Sequence, residues 1–313
     1  MPILAAFPVV TPEEPVDLTM VDTRTLAFRA LDGTYPFPAT GREFFFMPEI
    51  EGLDLPLIQV ATRTIPGMDG ELLSEVSVGT REIFLPLFIA SDSTHLQYLD
   101  RRDALANLFN YRRVDYRAEG GTFDLVASSA RGERTLRCLR TEGMTTVKRP
   151  REGAYWAKLG INALAVQPYW RGTDWQTPAI RPPTGAAWFG TFPPELSSSR
   201  ALGTDVPVQV GGDVDSWPTV DLVGPADSVL IEGPGLLISI PDGLGAGEPA
   251  HIVTDPRGRV ALFDNVSQWQ RIAPQRLFAP LAPGRQLITI DLAGATSSSV
   301  ARVSGPTLYE RPW

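Results

Sequence analysis

The sequence is poor in the residues that do chemistry. It has one cysteine and two histidines in 313 residues, and only two lysines, Lys148 and Lys158. A lone Cys138 excludes a disulfide framework and a cysteine-rich metal centre. Such usage is what a large protein folding in a reducing cytoplasm shows. No Gly-x-Ser-x-Gly elbow, His-Glu-x-x-His pair or phosphate-binding loop is present. No run approaches the roughly 18 apolar residues of a membrane span. The apolar N-terminus lacks a basic region, carries two prolines and runs into Glu13 and Glu14, so a signal peptide is not expected and the chain is expected to be soluble. A net charge of −8 and a pI near 4.9 argue against nucleic acid, whose phosphates need clustered Lys and Arg.

Glycine and proline, by contrast, are abundant. The 28 glycines and 29 prolines make up about 18 % of the chain against about 12 % ordinarily, which favours many short strands and turns over long helices. The length suggests about two domains, because one core rarely grows past roughly 250–300 residues.

The clearest single element runs from 153 to 166. Tyr155, Ala157, Leu159, Ile161, Ala163 and Ala165 alternate with Lys158, Gly160 and Asn162, the period of a long half-buried strand. Pro168 then removes a backbone donor, so Pro168, Tyr169 and Trp170 are expected to anchor the end of a first domain spanning 1–171. Residues 1–20 are expected to form an extended arm or edge strand. Leu31-Asp32-Gly33 separates strand-like runs 25–30 and 34–37 as a hairpin turn would. The runs 57–65 and 72–78 flank the turn cluster Pro66–Gly70. In 81–90, Ile83, Leu85, Leu87 and Ile89 share one face and Phe84 and Phe88 the other, which predicts a strand covered on both sides. Pro86 within it predicts a bulge or an unpaired edge.

One helix is expected, near 94–110. Leu96, Leu99, Leu105, Leu108 and Phe109 recur at helical spacing, Ser93 or Thr94 caps the start, Thr94-x-x-Gln97 fits a capping box, and Arg101, Arg102 and Asp103 fall on the solvent face. Residues 122–127 and 133–140 predict a hairpin. The segment 172–205, rich in Pro and Ser with Trp175, Trp188 and Phe192 scattered through it, reads either as a linker pinned by its aromatics or as a partner-contacting loop. From 206 to 313 short runs at regular spacing predict an all-β sandwich or jelly roll.

Candidate site residues are few. His95 and His251 read as packed or surface residues rather than bases, and Cys138 as a small buried hydrophobe. The acidic turns at 211–215 and 255–258 read as turns rather than calcium loops. No metal or cofactor is expected, and no pair of carboxylates is identified that would serve a glycosidase. Trp217 and Trp269 are candidates to contact a sugar or a partner, with packing as the alternative.

Four stretches, in order, resemble the distal tail protein (Dit) family of long-tailed bacteriophages. They are Gly79-Thr80-Arg81-Glu82-Ile83 with the leucine-rich helix after it; Leu164-Ala165-Val166-Gln167-Pro168-Tyr169-Trp170; the stretch from Gly212 to Pro225, including Trp217-Pro218; and His251–Pro256 followed by Leu281–Leu287. Gln167 stands where the family usually has an acid, and Gln286 where it typically has asparagine. The resemblance implies a tail-tube-like antiparallel β-barrel with one helix, then a galectin-like sandwich projecting outward. It also implies a non-enzymatic hub ring, usually hexameric, at the tail tip of the virion. Its partners would be copies of itself, the tail tube protein, the tip and tape-measure proteins, and host-surface glycans. A carbohydrate- or cell-wall-binding sandwich protein is the alternative reading, and a β-sandwich glycosidase a more distant one.

Overall fold

The computed structural model describes residues 24–30, 33, 44–91, 94–110, 122–144, 155–182 and 200–313. The expected N-terminal arm, the 34–37 strand, Trp188 and Phe192 lie outside them. The chain is mainly β, with two cores.

The first core is enclosed by a barrel-like antiparallel sheet. Its strands are β1 (Thr25–Arg29), β2 (Phe44–Phe46), β5 (Arg81–Ala90), β6 (Phe123–Ser129), β7 (Gly132–Gly143) and β8 (Trp156–Ala165). They run in the order β1-β6-β7-β8-β5-β2. Between β2 and β5, strands β3 (Ile58–Thr64) and β4 (Glu71–Val78) pair, among the described residues, only with each other. On β8, Ala157, Leu159, Ile161, Ala163 and Ala165 are all buried, as the alternation requires; Tyr155 precedes the strand and is exposed. Opposite them lie Ile83, Leu85, Leu87 and Ile89 of β5. Phe28 is the hub of an aromatic cluster with Phe44, Phe46, Phe109 and Phe123, their ring centroids 5.0–6.1 Å from its own.

The outer face of β5 is less covered than expected. Phe88 stacks between Phe45 and Trp156, but Phe84 is exposed. Nor does Pro86 cause a bulge: β5 and β8 stay in register throughout, with Pro86 opposite Gly160. Even-numbered residues of β5 bond toward β2, as Phe84 N–H to Glu51 O and Met47 N–H to Pro86 O show. The donor that proline lacks therefore faces Met47, just past the end of β2, and what β2 leaves there is an unpaired edge, as one of the two expectations had it.

Helix α1 (His95–Leu108) starts at Thr94, whose Oγ1 accepts from the Gln97 N–H at 3.2 Å. The second half of a capping box is not made, because the Gln97 side chain bonds Ser91 Oγ instead. The buried stripe is Tyr98, Leu105 and Leu108, continued by Phe109. Leu96 is 67 % exposed and Leu99 is also exposed. Arg101, expected on the solvent face, donates to the Ala90 carbonyl. The aromatic Tyr98 thus sets the helix's rotation, where leucine spacing alone suggested Leu96 and Leu99.

The second core lies between two sheets, a sandwich. One sheet has the order β10-β20-β12-β15-β16-β17 and the other β11-β19-β13-β14-β18. Here β10 is Trp175–Gln176, β11 Arg200–Val210, β12 Thr219–Val223, β13 Ser228–Gly233, β14 Leu236–Ile240, β15 Pro249–Val253, β16 Val260–Phe263, β17 Val266–Ser267, β18 Leu277–Phe278, β19 Gly284–Ala293 and β20 Val300–Gly305. Inward residues alternate along every long strand: Val220 and Leu222, Ile238 and Ile240, Ile288, Ile290 and Leu292. Trp175 joins this core, its indole N–H donating to Ser216 Oγ at 2.9 Å.

The chain then returns to the first sheet. Strand β9 (Trp170–Arg171) bridges β7 and pairs with β21 (Leu308–Tyr309). Arg134 lies over the Tyr309 ring and donates to the Arg311 carbonyl, and Trp313 packs on the first core. Gly212 lets the 211–213 turn meet this return: at φ +93° a Cβ there would stand 2.1 Å from Leu308 O.

These contacts converge on Arg81. It is 2 % exposed, has no carboxylate among its hydrogen-bond partners, and donates to five backbone carbonyls: Nε to Pro168 at 2.7 Å, Nη1 to Gly52, Leu53 and Asp54, and Nη2 to Glu310 at 2.7 Å. Gly52, at φ +81°, can turn its carbonyl inward because no Cβ collides with Glu82 O, which would be 2.0 Å away. Replacing Arg81 by Lys keeps the charge but not the planar fork. Arg81→Lys should lower stability by about 3 kcal/mol, two or more charge-assisted bonds being lost. Arg81→Met, which leaves the carbonyls unsatisfied, should cost more; urea denaturation checks the order. On the helix, Leu105→Ala should cost about 2–5 kcal/mol and Leu96→Ala under about 0.5 kcal/mol. Equal losses would mean that the helix is rotated from the orientation described.

Candidate assembly surface

Strands β3 and β4 form a two-stranded ribbon that stands away from both cores, every residue of β3 exposed. Register decides what it presents. Val60 pairs with Val76 and Ile58 with Val78, but past Ala61 the pairing shifts, and Thr62 faces Leu73. Ser74 is the extra residue of this bulge. The shift brings Leu73 onto the face that already holds Ile58, Val60, Val76 and Val78. Ile58, Val60, Leu73 and Val76 are each 55–59 % exposed. The opposite face carries Gln59, Arg63, Glu75 and Ser77 along with Ala61 and Leu72. A lone two-stranded ribbon is marginal in water, and a contiguous exposed apolar face marks an interaction surface.

The root of the ribbon is firm. Gly79 N–H bonds Leu57 O at 3.1 Å, closing the base. Two residues later the outgoing leg becomes Arg81, which holds the carbonyls of 52–54 on the incoming leg. Burial lowers the guanidinium's pKa, opposed by nearby acidic groups including Asp54 and Glu310, but an arginine stays protonated at any ordinary pH. Beside the root an open groove of about 450 Å³ runs along β5 and β8, with Glu51, Glu82, Phe84 and Glu142 in its lining.

The expected boundary residues meet at the same junction. Pro168 supplies a carbonyl to Arg81. Trp170 is fully buried and donates its indole N–H to Leu53 O at 3.3 Å. Tyr169 is half-buried; burial, then Glu310, raises its phenol pKa. Gln167 lies in a small cleft with Arg137, Arg171 and Asp124. There Asp124 already supplies the carboxylate, pairing with Arg29 and Arg137.

The tryptophan candidates are not brought together by any shared element. Trp217 is partly buried just before β12, beside the buried Ser216. Trp269 opens a 3-10 turn, Trp269–Arg271, and packs partly against the second core. The two histidines are also far apart in role. His95 lies beside Tyr98 and Tyr155. His251 pairs through Nδ1 with Asp221, directly opposite on β12, at 2.6 Å and in solvent. Cys138 is fully buried and burial, then Asp124, pushes its thiol pKa far up, which makes it inert. Among the described residues no group of His, Cys, Asp and Glu could hold a metal ion, and no helix is long and apolar enough to cross a membrane.

The ribbon's role was missed in the sequence because its alternation is that of any sheet strand. Only its isolation from other strands marks it out. Arg81 carried a weak signal, an arginine directly before an apolar strand.

Comparison with known proteins bears on the same region. Residues 41–129, which contain the ribbon, β5 and the helix, match the family described as phage tail protein RIFT-related domain. No curated protein matches the chain in sequence. Among solved structures, the Dit protein of phage SPP1, described as a paradigm of the hub adsorption apparatus in phages that infect Gram-positive bacteria, matches with a TM-score of 0.62 at 14 % identity. The match covers 91 % of this chain and 98 % of that one. A chain of the phage P2 baseplate, in its activated conformation with calcium, matches with a TM-score of 0.51 at 9 % identity over 91 % and 98 % of the two chains. The same baseplate with strontium gives 0.51 at 10 % identity over 90 % and 97 %. At such identities the likeness is one of fold. Residues 41–129 are therefore similar to the phage tail protein RIFT-related domain, and the chain as a whole shares the fold of the distal tail protein of SPP1.

Proposed function

We propose that this protein is a structural component of a phage tail tip, a distal tail hub that acts by self-assembly and not by catalysis. The observation that carries the proposal is the ribbon: a firm root, an exposed apolar face, and, among the described residues, nothing of its own chain to cover it. A second copy is the natural occupant, since a closed ring repeats one head-to-tail contact. In this reading residues 1–171 form the ring, usually of six copies in such hubs, with Leu308–Tyr309 returning to its sheet. Residues 172–205 connect it to the rest, with Trp175–Gln176 and the start of β11 already part of the sandwich, and the remainder of 206–313 projects outward as a galectin-like module. The ring joins the tail tube protein to tip and tape-measure proteins in the virion, after assembly in the host cytoplasm. The match to the RIFT-related domain and the fold shared with SPP1 Dit support it.

The test is the mass of the purified protein by light scattering, with electron microscopy of the particles. A ring is expected, and a strict monomer that also fails to bind tail-tube protein would sink the reading. The double substitution Val60→Lys with Val76→Glu keeps an attractive cross-strand pair while removing apolar contact. It should shift the protein to monomer, weakening association at least about tenfold, without lowering the melting temperature of the monomer. A ring that persists unchanged in that variant would move the interface elsewhere.

A further inference from the structure

One edge of the second sandwich holds two arginines in a setting none of the preceding contacts uses. Trp269 meets Phe278 edge to face, ring centroids 6.2 Å apart, and both rings pack partly against the core. Arg259 lies over the Phe278 ring at 4.9 Å, and Arg276 over the Trp269 ring at 5.6 Å. Two nearby arginines are neutralised. Arg271, over Phe263, pairs with Glu248, and its hydrogen bonds hold that carboxyl below its ordinary pKa. Arg257 makes a two-pronged pair with Asp255. Arg276 makes no ion pair among the described residues, and Arg259 only shares the field of Asp255, which Arg257 already binds; Arg259 lends its Nε to the Thr254 carbonyl at 3.3 Å. Both are exposed.

Four arginines, Arg257, Arg259, Arg271 and Arg276, gather here with two paired carboxylates, Asp255 and Glu248, a local excess of positive charge on a chain of net charge −8. The rings beneath Arg259 and Arg276 restrict each guanidinium while leaving terminal N–H groups free, which lowers the entropy lost when an anion is bound. The neighbouring side chains Gln268, Gln270 and Gln275 are neutral hydrogen-bonding groups. Leu277 and Val266 are the exposed large aliphatics of this stretch, too little apolar surface for the dry centre of a stable protein interface. Hydroxyl groups suit the glutamines, and carboxylates or phosphates suit the guanidiniums. We propose that Arg259 and Arg276, braced on Phe278 and Trp269, bind the acidic groups of an anionic polysaccharide. This goes beyond the hub reading and does not depend on it.

Affinity electrophoresis of the full chain tests it, with polygalacturonate, poly-glutamate or neutral dextran cast in the gel at low salt. Polygalacturonate should retard the protein and dextran should not. Arg259→Gln with Arg276→Gln should weaken the retardation at least tenfold. Arg131→Gln with Arg285→Gln, which removes the same charge elsewhere, should change it by less than twofold. Circular dichroism of both variants should match the parent, all four residues being exposed, and light scattering should show the same oligomer, so that a change in avidity is not mistaken for a lost site. Absence of retardation, its survival in the Arg259/Arg276 variant, or equal retardation by poly-glutamate would each overturn the proposal; none of these results bears on whether the protein forms a ring.

Discussion

A buried guanidinium is costly unless its donors are satisfied, and the hydrogen bonds of Arg81 go entirely to backbone. Its partners come from the approach to the ribbon at 52–54, from Pro168 at the end of β8, and from Glu310 near the C-terminus. No two of these segments are close in sequence. One side chain therefore fixes where the ribbon leaves, where the first sheet ends and where the chain returns. Around it, Trp170 packs into the first core with its indole on Leu53, and β21 adds to β9. The two cores are thereby joined by hydrogen bonds as well as by covalent connection.

That junction separates two kinds of apolar surface. Below it Ile83, Leu85, Leu87 and the facing residues of β8 are closed off from water. Beyond it Ile58, Val60, Leu73 and Val76 point outward, and none of the described residues covers them. The same residue types serve stability on one side and association on the other. What distinguishes them is the few residues, Gly79 to Arg81, over which the strand leaves the ribbon and joins the barrel. A bulge at Ser74 refines the outward surface by turning Leu73 to the apolar side.

Much of the fold was legible because period-two alternation needs no tertiary information. Strand β8 and the strands at 219–223, 236–240 and 260–263 follow from it directly. Where tertiary context decides, the sequence was less informative. Leu96 and Leu99 match a helical stripe as well as Tyr98 does, and only the shape of the core selects the ring. Pro86 predicted a bulge or an unpaired edge; the bulge is absent, and its missing donor falls where the neighbouring strand has already ended. The return of Leu308 and Tyr309 to the first sheet rests on a two-residue pairing with no local signature. Of the candidate site residues, Pro168, Tyr169 and Trp170 were visible as punctuation. Arg81, to which Pro168 is bonded, resembled any charged residue at a strand start. Trp269 was visible as an aromatic, but the arginines over it and over Phe278 come from loops distant in sequence.

The composition of the Arg81 junction bears on how such a chain can diverge. A carbonyl is common to all twenty amino acids, so the positions that receive the guanidinium contribute nothing that depends on side-chain identity, apart from the open backbone that Gly52 provides. The knot at the centre of the molecule specifies one arginine and one glycine, and leaves Leu53, Asp54, Pro168 and Glu310 free to be exchanged as far as this contact is concerned. An architecture tied together in that way tolerates wide exchange of side chains around one fixed backbone geometry.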